Sequence, residues 1–428
     1  MDEASAQELV IDGLGHRGEG LVRGPIHVPG ALPGERILAE IEGERGRLIE
    51  VLDVSPQRIA PICRYFGDCG GCATQHLAHA PYIAWKRDLL IDALAAAHVD
   101  APVGALVDAH GEGRRRATFH ARFASAGPAI EVGFMRARAH DIVAIAACPV
   151  LAPGMARALE AARALAAALR GVGKPLDINV TATLSGLDVD IRGSGALDLS
   201  TQRKMIDAAG CLDLARVSNH GEVVIERRAP ELRVGLARLH PPPGGFLQAT
   251  AEGERILAEL AIAAVRDARR VADLFSGAGA FALRLAVDHD VHAVELDRPA
   301  LSALTRAAGA ARGLRPVASE ARDLFHRPLG REELKGFDAV VFDPPRAGAL
   351  AQSRELAASA VPTLVAVSCN AASFARDMRV LVDGGYRLES ITPIDQFRYA
   401  PHVEIVAILR KPSRGKQAGR ARARRLLG

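Results

Sequence analysis

Short apolar runs alternate with helical stretches along the C-terminal part of the chain, and this alternation is the feature that most restricts its fold. The runs are apolar nearly throughout, as in strands that are covered on both faces of a parallel sheet. Alternating strands and helices of this kind predict a doubly wound, Rossmann-like α/β domain. The predicted elements are a helix at 252–268 and strands at 270–275, 291–296, 339–342, 363–368 and 404–409.

The part of the chain before this domain has a different character. Residues 7–54 hold short β-like runs separated by Pro-Gly turn signals, which predict a small OB-like, five-stranded β-barrel. Such a barrel commonly binds oligonucleotides, and a purely structural β-appendage is an equally good interpretation of these residues alone. Residues 55–250 mix a helix at 81–97 with short strands, which predicts an α+β region. We therefore expect a multidomain chain with domains at 1–56, 57–245 and 246–412, followed by a basic tail at 413–428.

The formal net charge of +4 is unevenly distributed over the 428 residues. The segment from Lys411 to Gly428 is rich in Lys and Arg and has no acid, which is typical of a solvated, disordered tail. Contact between this tail and RNA phosphates is the functional alternative. We find no secretory signal and no apolar run of about 18–20 residues, so we expect a cytoplasmic protein without a membrane partner. Nothing in the sequence implies an obligate protein partner.

A strand, a glycine turn and a helix start follow one another in VADLFSGAGAF. Gly277 and Gly279 lack a Cβ, so a ligand can approach the backbone there. Glu295 ends the next strand, where an acid can accept hydrogen bonds from ribose hydroxyls. This arrangement suits NAD and S-adenosylmethionine about equally. Asp323 and Asp343 end later strands or loops, where ligands of such sheets bind, and they favour S-adenosylmethionine.

Two candidate reactive groups follow the next strands. Asp343-Pro344-Pro345-Arg346 forms a stiff turn, because consecutive prolines cannot continue a strand ladder. Cys369 ends the strand at 363–368. A lone cysteine is more often a small buried hydrophobe, but this position favours a nucleophile. A thiolate there could attack an electrophilic carbon, provided that its pKa is lowered, and Arg346 and the helix that begins near Ala371 are the two candidates for lowering it.

Glu404 opens an otherwise apolar final strand. A carboxylate in such a place can have a raised pKa and act as a general base, although a surface acid at a strand start is the plainer alternative. With Cys369 and a methyl donor, it fits methylation at C5 of uracil. A thiolate adds to C6, C5 takes the methyl group, and a base removes the C5 proton. The target base must be unstacked, because a duplex hides the reacting carbon.

Three cysteines fall within ten residues, and a fourth is distant in sequence. They are Cys63, Cys69, Cys72 and Cys148. Four thiolates hold zinc or an iron–sulfur cluster. Zinc ribbons normally use two C-x2-C pairs, and this pattern departs from that arrangement. The spacing therefore predicts metal binding and leaves the identity of the metal open.

These motifs resemble the RNA uridine-C5 methyltransferases, and most closely the branch that acts on 23S rRNA. The resemblance covers nearly the whole chain. Gly20–Glu40, with its VPGALPGE core, is similar to the family's RNA-binding TRAM barrel. Ser368-Cys369-Asn370 is similar to its nucleophile motif and His402-Val403-Glu404 to its base motif. These two motifs and the Asp-Pro-Pro-Arg loop are the specific parts, whereas the glycine turn is not.

The resemblance implies methylation of a specific uridine, in 23S rRNA or alternatively in tRNA, with S-adenosylmethionine as donor. Cys369 would be the nucleophile and Glu404 the base. The implied ligands of a structural [4Fe-4S] cluster are Cys63, Cys69, Cys72 and Cys148. The implied donor-binding residues are Gln248, Phe275, Gly277, Ala280, Glu295, Asp323 and Asp343. Thr250, Ser276 and Ala280 depart from the residues that are common in the family.

Two functions of other classes also remain open on the sequence. A non-catalytic RNA-binding ribosome-assembly factor would use the barrel and the basic tail, but the intact Cys369–Glu404 pair opposes it. A cluster-dependent redox enzyme would use the glycine turn to bind NAD.

Overall fold

The computed structural model describes residues 6–123 and 129–412, so the basic tail expected at 413–428 lies outside the described residues. The chain forms two compact units. Unit 1 takes in the chain up to Leu89, Glu112–Arg228 and Phe397–His402, and unit 2 takes in Leu90–Gly111, Ala229–Gln396 and the chain from Val403. The domain boundaries expected from the sequence stay predictions.

Strands account for most of the regular structure. In chain order they are β1 Ala6–Val10, β2 Gly13–Leu14, β3 Gly20–Leu21, β4 His27–Val28, β5 Arg36–Glu42, β6 Arg45–Asp53, β7 Val107–Asp108, β8 Arg116–Phe123, β9 Ile130–Met135, β10 Ile142–Ala144, β11 Leu176–Thr183, β12 Gly186–Arg192, β13 Arg216–Asn219, β14 Glu222–Glu226, β15 Leu232–Val234, β16 Ala237–Leu239, β17 Arg270–Leu274, β18 Asp290–Glu295, β19 Val317–Ala321, β20 Ala339–Phe342, β21 Thr363–Ser368, β22 Arg387–Asp395 and β23 Glu404–Arg410.

The helices are α1 His79–Ala96, α2 Ala158–Ala168, α3 Leu199–Cys211, α4 Ala251–Val265, α5 Ala282–Leu285, α6 Arg298–Ala310, α7 Leu350–Ala358 and α8 Ala371–Asp383, with short 3-10 turns at Pro153–Met155 and Arg170–Val172. Among the described helices, none is both long and apolar enough to cross a lipid bilayer.

The first sheet of unit 1 lies in residues 6–53, where its order runs through six strands, β1-β5-β6-β4-β3-β2. The sequence predicted five. The two ends of this order, β1 and β2, are joined by Ile11 and Asp12 alone, as expected if one bent segment closes a small barrel. The interior is a small cluster around Ile11, Val28 and Ile37, all almost fully buried. The all-β character of this segment is confirmed, and a closed TRAM barrel stays a prediction.

The second sheet of unit 1 has the order β10-β9-β8-β11-β12-β13-β14 and confirms the α+β prediction for the central region. Its buried face packs on α2 and α3, with Phe119, Ile178, Leu165 and Met205 in one apolar cluster.

The sheet of unit 2 has the order β19-β18-β17-β20-β21-β23-β22-β7. From β19 to β21 the neighbours are parallel, which confirms the doubly wound prediction for that part. β23 runs antiparallel to both β21 and β22, so the prediction of a parallel sheet is wrong for the last strand. An apolar run reports burial on both faces and carries no information about strand direction.

Apolar cores cover both faces of this sheet. Along β17, Ala272 and Leu274 join one core and Val271 joins the other, as the alternation of side chains along a strand requires. α7 and α8 supply the first core, and α4, α5 and α6 supply the second. This layered packing fixes the strands and therefore fixes the side chains that follow their carboxyl ends.

Candidate active site

Three of the predicted site residues lie at the carboxyl ends of neighbouring strands in unit 2. Leu274 of β17 lies opposite Val294 of β18 and Phe342 of β20, so Phe275, Glu295 and Asp343 come next to one another along one edge. Ligands of open α/β sheets bind at this edge. Residues far apart in sequence are thus brought to the place where a cofactor is expected.

The turn after β17 has an unusual backbone. Phe275, a non-glycine residue, has φ of +60°, and Gly277 and Gly279 have φ of +54° and +95°. Strained backbone of this kind is often found at functional sites, where the surrounding structure holds it in place. A Cβ on Gly277 would meet nothing within 4 Å, which leaves room for a ligand. A Cβ on Gly279 would lie 2.8 Å from Leu304 Cγ, so that glycine is needed for packing.

Glu295 secures this turn. Its Oε2 accepts a hydrogen bond from Gly277 N at 2.8 Å, and its Oε1 accepts from Leu296 N and Asp297 N. The carboxylate therefore ties the glycine turn to the end of β18. Ala280 contributes a carbonyl that accepts a hydrogen bond from Arg284, and its side chain packs on the core.

Asp323 lies two residues beyond β19, and its side chain organises its own loop. Its Oδ1 accepts from Phe325 N, and its Oδ2 lies 2.8 Å from His326 Nδ1. The hydrogen bond from His326 lowers the pKa of Asp323. Phe325 is 40% exposed, with its ring 5.5 Å from that of Phe275. Sequence reasoning missed Phe325, because an exposed aromatic residue beside a cofactor edge gives no periodic signal.

Cys369 lies between the end of β21 and the start of α8. Asn370 caps that helix, since its side chain accepts from Ser373 N at 2.9 Å. The first turns of α8 also hold the Asp-Pro-Pro-Arg loop, because Ser373 Oγ donates to Arg346 O and Ala349 N donates to Asp377 Oδ2. The helix start expected near Ala371 is confirmed.

The antiparallel register brings Cys369 opposite Glu404. Ser368, the last residue of β21, pairs with Ile405 in the β21–β23 ladder. Cys369 follows Ser368 and Glu404 precedes Ile405, so these two residues come opposite each other. Glu404 is 3% exposed, and Cys369 is partly exposed. The charge of Glu404 acts on the Cys369 thiol, as expected for close neighbours.

The pKa of the Cys369 thiol is raised, and the lowering by Arg346 or the helix start that the sequence suggested is wrong. Burial raises the pKa of the thiol to about 11, and the charges of Glu404 and Asp343 raise it as well. The positive charge of Arg346 has the expected lowering effect, but it is outweighed. The sequence could not show that two carboxyl groups stand beside the sulfur.

Glu404 and Asp343 are themselves electrostatically perturbed. Burial raises the pKa of both carboxyl groups. A raised pKa makes Glu404 a stronger base than an ordinary glutamate, as predicted for a proton acceptor.

Two glutamine side chains lie between these carboxyl groups. Gln248 Nε2 donates to Asp343 Oδ2 at 3.0 Å. Gln396 Nε2 donates to Gln248 Oε1 at 2.8 Å and to Glu404 Oε1 at 2.9 Å. Sequence reasoning placed Gln248 in the site and missed Gln396. Nothing in the sequence pointed to Gln396, because β22, the strand that it follows, was itself not predicted.

The edge therefore brings together a thiol, a carboxyl group with a raised pKa and a strained turn with room for a ligand. A thiolate opposite a carboxylate can add to an unsaturated carbon, and the carboxylate can remove a proton from the next carbon in a later step. This is the chemistry expected for C5 of uracil.

The four predicted cluster cysteines group together within unit 1. Burial raises the pKa of Cys72 to about 12, a hydrogen bond with Gln75 opposes this, and the charges of Cys148, Cys69 and Cys63 add to it. Gln75 also accepts a hydrogen bond from Cys63 N at 3.0 Å. Among residues 6–123 and 129–412, no three Cys, His, Asp or Glu side chains are arranged to hold a metal ion. The structure thus supports the grouping of the cysteines and does not support a metal site.

A cavity of about 630 Å³ lies beside Cys69 and Cys72, lined entirely by residues of unit 1. Its lining includes the cations Arg17, Arg136 and Arg138 and the aromatic rings of Phe66 and Phe134. Buried Glu19 also lines it, with Oε1 3.6 Å from Arg138 Nη2. This volume is in the range of small-ligand sites, which are about 300–1,000 Å³.

Comparison with known proteins places these features in a family context. The family model described as tRNA (Uracil-5-)-methyltransferase matches residues 317–412. An uncharacterized RNA methyltransferase of Agrobacterium fabrum is 45% identical over 95% of this chain and 100% of its own length. One from Brucella suis is 44% identical over 96% of this chain and 99% of its own.

A relative with a stated substrate and a solved structure extend the comparison. The 23S rRNA (uracil(1939)-C(5))-methyltransferase RlmD of Halomonas elongata is 32% identical over 96% of this chain and 91% of its own length. The crystal structure of Pyrococcus abyssi tRNA (uracil-54, C5)-methyltransferase in complex with S-adenosyl-L-homocysteine superimposes with a TM-score of 0.73 at 23% identity. It covers 94% of this chain and 99% of that one, and it shows the same fold.

Proposed function

The chain belongs to the RNA uridine-C5 methyltransferase family, and on that premise we propose that it methylates one uridine of 23S rRNA through a covalent bond between Cys369 and C6 of the base. The observation that carries this proposal is the register that sets Cys369 opposite Glu404, at the edge where the donor is expected. S-adenosylmethionine supplies the methyl group as a sulfonium.

Each residue of the site has one task in this reaction. The Cys369 thiolate forms a bond to C6 of uracil, and the electron pair of the C5–C6 double bond moves into an enolate. C5 then attacks the methyl carbon of the sulfonium, and the methyl C–S bond breaks to leave S-adenosylhomocysteine. Glu404 takes the C5 proton, the C5–C6 double bond re-forms, and the C6–S bond breaks to return the thiolate.

The donor is proposed to lie along the turn after β17 and the ends of β18 to β20. The open space at Gly277 and the exposed ring of Phe325 beside Phe275 fit a nucleoside. The residues proposed to bind it are Gln248, Phe275, Gly277, Ala280, Glu295, Asp323 and Asp343.

Replacement of the nucleophile tests the proposed reaction. We expect Cys369→Ala to lower methyl transfer from tritiated S-adenosylmethionine to RNA to background, because the proposed activation of C5 depends on a bond between this sulfur and C6. Cys211→Ala is the matched control, since this exposed cysteine ends α3 in unit 1. Both variants should keep the wild-type circular dichroism spectrum. Wild-type turnover by Cys369→Ala would refute the covalent mechanism.

The choice between 23S rRNA and tRNA depends on the relatives. RlmD at 32% identity names 23S rRNA, whereas the solved neighbour at 23% identity names tRNA. Sequence similarity over nearly the full length therefore favours ribosomal RNA, and we propose that the reaction takes place in the cytoplasm. RNA from a strain that lacks this protein should lose one 5-methyluridine in 23S rRNA. Its loss from tRNA instead would overturn the substrate assignment.

We propose that Cys63, Cys69, Cys72 and Cys148 hold a structural [4Fe-4S] cluster. Their electrostatics support this, since burial and the neighbouring cysteines raise the pKa of Cys69, Cys72 and Cys148, and thiols in such a place need a cation to stay ionised. The ligands of a four-iron cube lie farther apart than those of one ion, so the lack of a single-ion arrangement in the described residues does not oppose it.

Iron and acid-labile sulfide in protein purified without oxygen test this assignment. We expect about four of each per chain and a brown colour that Cys72→Ala abolishes and Cys211→Ala keeps. Stoichiometric zinc, or no metal at all, would contradict the cluster.

The cavity of unit 1 is proposed to take part of the RNA. Arg17, Arg136 and Arg138 suit phosphates, and Phe66 and Phe134 suit an unstacked base. This would add an RNA contact outside the sheet edge that carries the chemistry.

A further inference from the structure

A buried glutamine connects the base of the proposed reaction to the donor pocket. The side chain of Gln396 is fully buried and makes three hydrogen bonds. Its Oε1 accepts from Thr250 N at 3.4 Å, and its Nε2 donates to Gln248 Oε1 and Glu404 Oε1. A backbone N–H can only donate and a carboxylate can only accept, so one orientation of the amide satisfies all three contacts.

The orientation of Gln396 makes the two oxygens of Glu404 unequal. Oε1 receives the amide hydrogen, whereas Oε2 is buried and has no hydrogen-bond partner among the described residues. A buried acceptor without a partner is costly, so such atoms call for an explanation. An atom that must take a proton from the substrate has to be left free in this way.

We propose that Gln396 is a positioning residue that fixes Glu404 through Oε1 and so presents Oε2 as the atom that takes the C5 proton. This inference rests on the proposed function and adds a residue and an atom to it. Gln396 touches neither the RNA base nor the donor in this role.

The same amide extends the effect to the donor side of the site. Gln396 holds Gln248, which donates in turn to Asp343, so one continuous chain of hydrogen bonds joins the two carboxyl groups. A tightly packed wall keeps Gln396 in place, because a Cβ on Gly253 would lie 2.7 Å from its Oε1. A displaced Gln396 would therefore disturb the base and the donor-binding glutamine together.

The proposal assigns Gln396 to the last step of the reaction. In that step Glu404 Oε2 forms a bond to the proton, the C5–H electron pair re-forms the C5–C6 double bond, and the C6–S pair returns to Cys369. Loss of Gln396 should slow this step and leave the earlier attack by sulfur intact.

Gln396→Met separates the two stages, because methionine keeps the volume and removes the hydrogen bonds. With 23S rRNA transcribed in vitro, and tRNA transcripts in parallel, the variant should accumulate a covalent protein–RNA adduct on denaturing gels. It should resolve that adduct at least about 10-fold more slowly than the wild type, since a general base contributes about 10²–10⁴ in rate. With the same transcripts containing 5-fluorouridine, C5 carries no proton to remove, so both proteins should form the trapped adduct at the same rate.

The pH profile gives a second readout that a structural role would not move. The titratable and charged groups facing Glu404 are the Cys369 thiol, Asp343, which raises the pKa of Glu404, and Arg346, which lowers it. The hydrogen bond from Gln396 also lowers the pKa of Glu404, so its loss should move the acid limb of adduct resolution to higher pH.

Gln352→Met is the matched control. Gln352 is equally buried in unit 2, and its amide exchanges two hydrogen bonds with the backbone of Leu329. This variant should lose stability without adduct accumulation or a shifted acid limb. If Gln396→Met resolved the adduct at the wild-type rate, with the acid limb at the wild-type pH, this inference alone would be overturned. A wild-type protein that forms no adduct with fluorinated RNA would overturn the proposed function and the inference with it.

Discussion

The side chains of Cys369, Glu404 and Asp343 place three acidic groups close together in a partly buried site. A negative charge on one of them makes ionisation of the others less favourable. At a pKa of about 11, roughly one Cys369 thiol in 10⁴ is ionised at pH 7. Arg346 lowers the pKa of both Cys369 and Glu404, so it is the cation that favours their reactive forms. The reactivity of the sulfur is therefore set by its neighbours as much as by its own position.

The raised pKa of Glu404 predicts a pH-dependent cost in stability. Burial raises this pKa above 4.5, so the unfolded chain loses the proton first as the pH rises. The free energy of unfolding of the wild type should therefore fall relative to that of Glu404→Gln from about pH 5 to pH 8, by up to about 1.4 kcal/mol per unit of pKa shift. Urea denaturation of both proteins at several pH values measures this difference.

An exposed glutamate is the control for this prediction. A hydrogen bond from Lys335 lowers the pKa of Glu332, so the sign reverses and any change between wild type and Glu332→Gln should be small and opposite. If the difference in free energy of unfolding between Glu404→Gln and the wild type stayed constant with pH, the raised pKa of Glu404 in the folded protein would be contradicted.

The turn after β17 and the start of α8 are the elements that make the edge of the sheet chemically useful. Strand β17 ends in a turn in which Phe275 and two glycines have positive φ, and β21 ends one residue before Cys369 and two before the cap of α8. Short strands with rigid, capped continuations place side chains more accurately than mobile loops do.

Gly279→Ala tests how strictly this turn is specified. The new Cβ would meet Leu304 at 2.8 Å and φ is +95°, so we expect a loss of about 1–3 kcal/mol in stability and weaker binding of S-adenosylhomocysteine. Gly309→Ala is the control, because its Cβ would meet nothing within 4 Å and alanine should stabilise α6 by up to about 1 kcal/mol. Urea denaturation measures the stability of both variants, and calorimetric titration measures their binding of S-adenosylhomocysteine. Equal stability of the two variants would contradict the strain expected at position 279.

At the scale of the whole molecule, each unit is built from separate stretches of chain. Phe397–His402 belongs to unit 1, although the strands on either side of it, β22 and β23, belong to unit 2. The chain therefore leaves the sheet of unit 2 after β22 and returns to it at Glu404, the first residue of β23. Unit 1 also carries the cationic cavity and the grouped cysteines.

Arg17→Ala should weaken RNA binding if the cavity of unit 1 takes part of the RNA. The logarithm of the RNA-binding constant falls linearly with the logarithm of the salt concentration. Loss of one phosphate contact should make this slope shallower by about 0.7 for single-stranded RNA. Filter binding of 23S rRNA transcripts at several salt concentrations measures it, and binding of S-adenosylhomocysteine should be unchanged. Arg266→Ala, an exposed arginine of unit 2, should leave the slope unchanged. Equal slopes for the two variants would exclude Arg17 from the RNA contact.

The element types were predictable because periodicity reports burial directly. The strands at 339–342 and 363–368 were predicted with their bounds as observed. β22 and β19 were missed, since both mix polar and apolar residues and lack the apolar run that marks a buried strand. Helix α8 was expected to begin near Ala371 and does begin there, and the structure shows that Asn370 caps it.

The sequence by itself determined which residue types are available for the chemistry, namely one cysteine, one acid and a glycine turn, because local patterns mark the ends of strands. Only the tertiary structure decided that Cys369 faces Glu404, since β23 runs antiparallel and an apolar run does not encode direction. The tertiary structure alone also revealed Gln396 between Gln248 and Glu404, and the raised pKa of Cys369. Hydrogen bonds and electrostatic effects depend on distances through space between segments that are far apart in the chain.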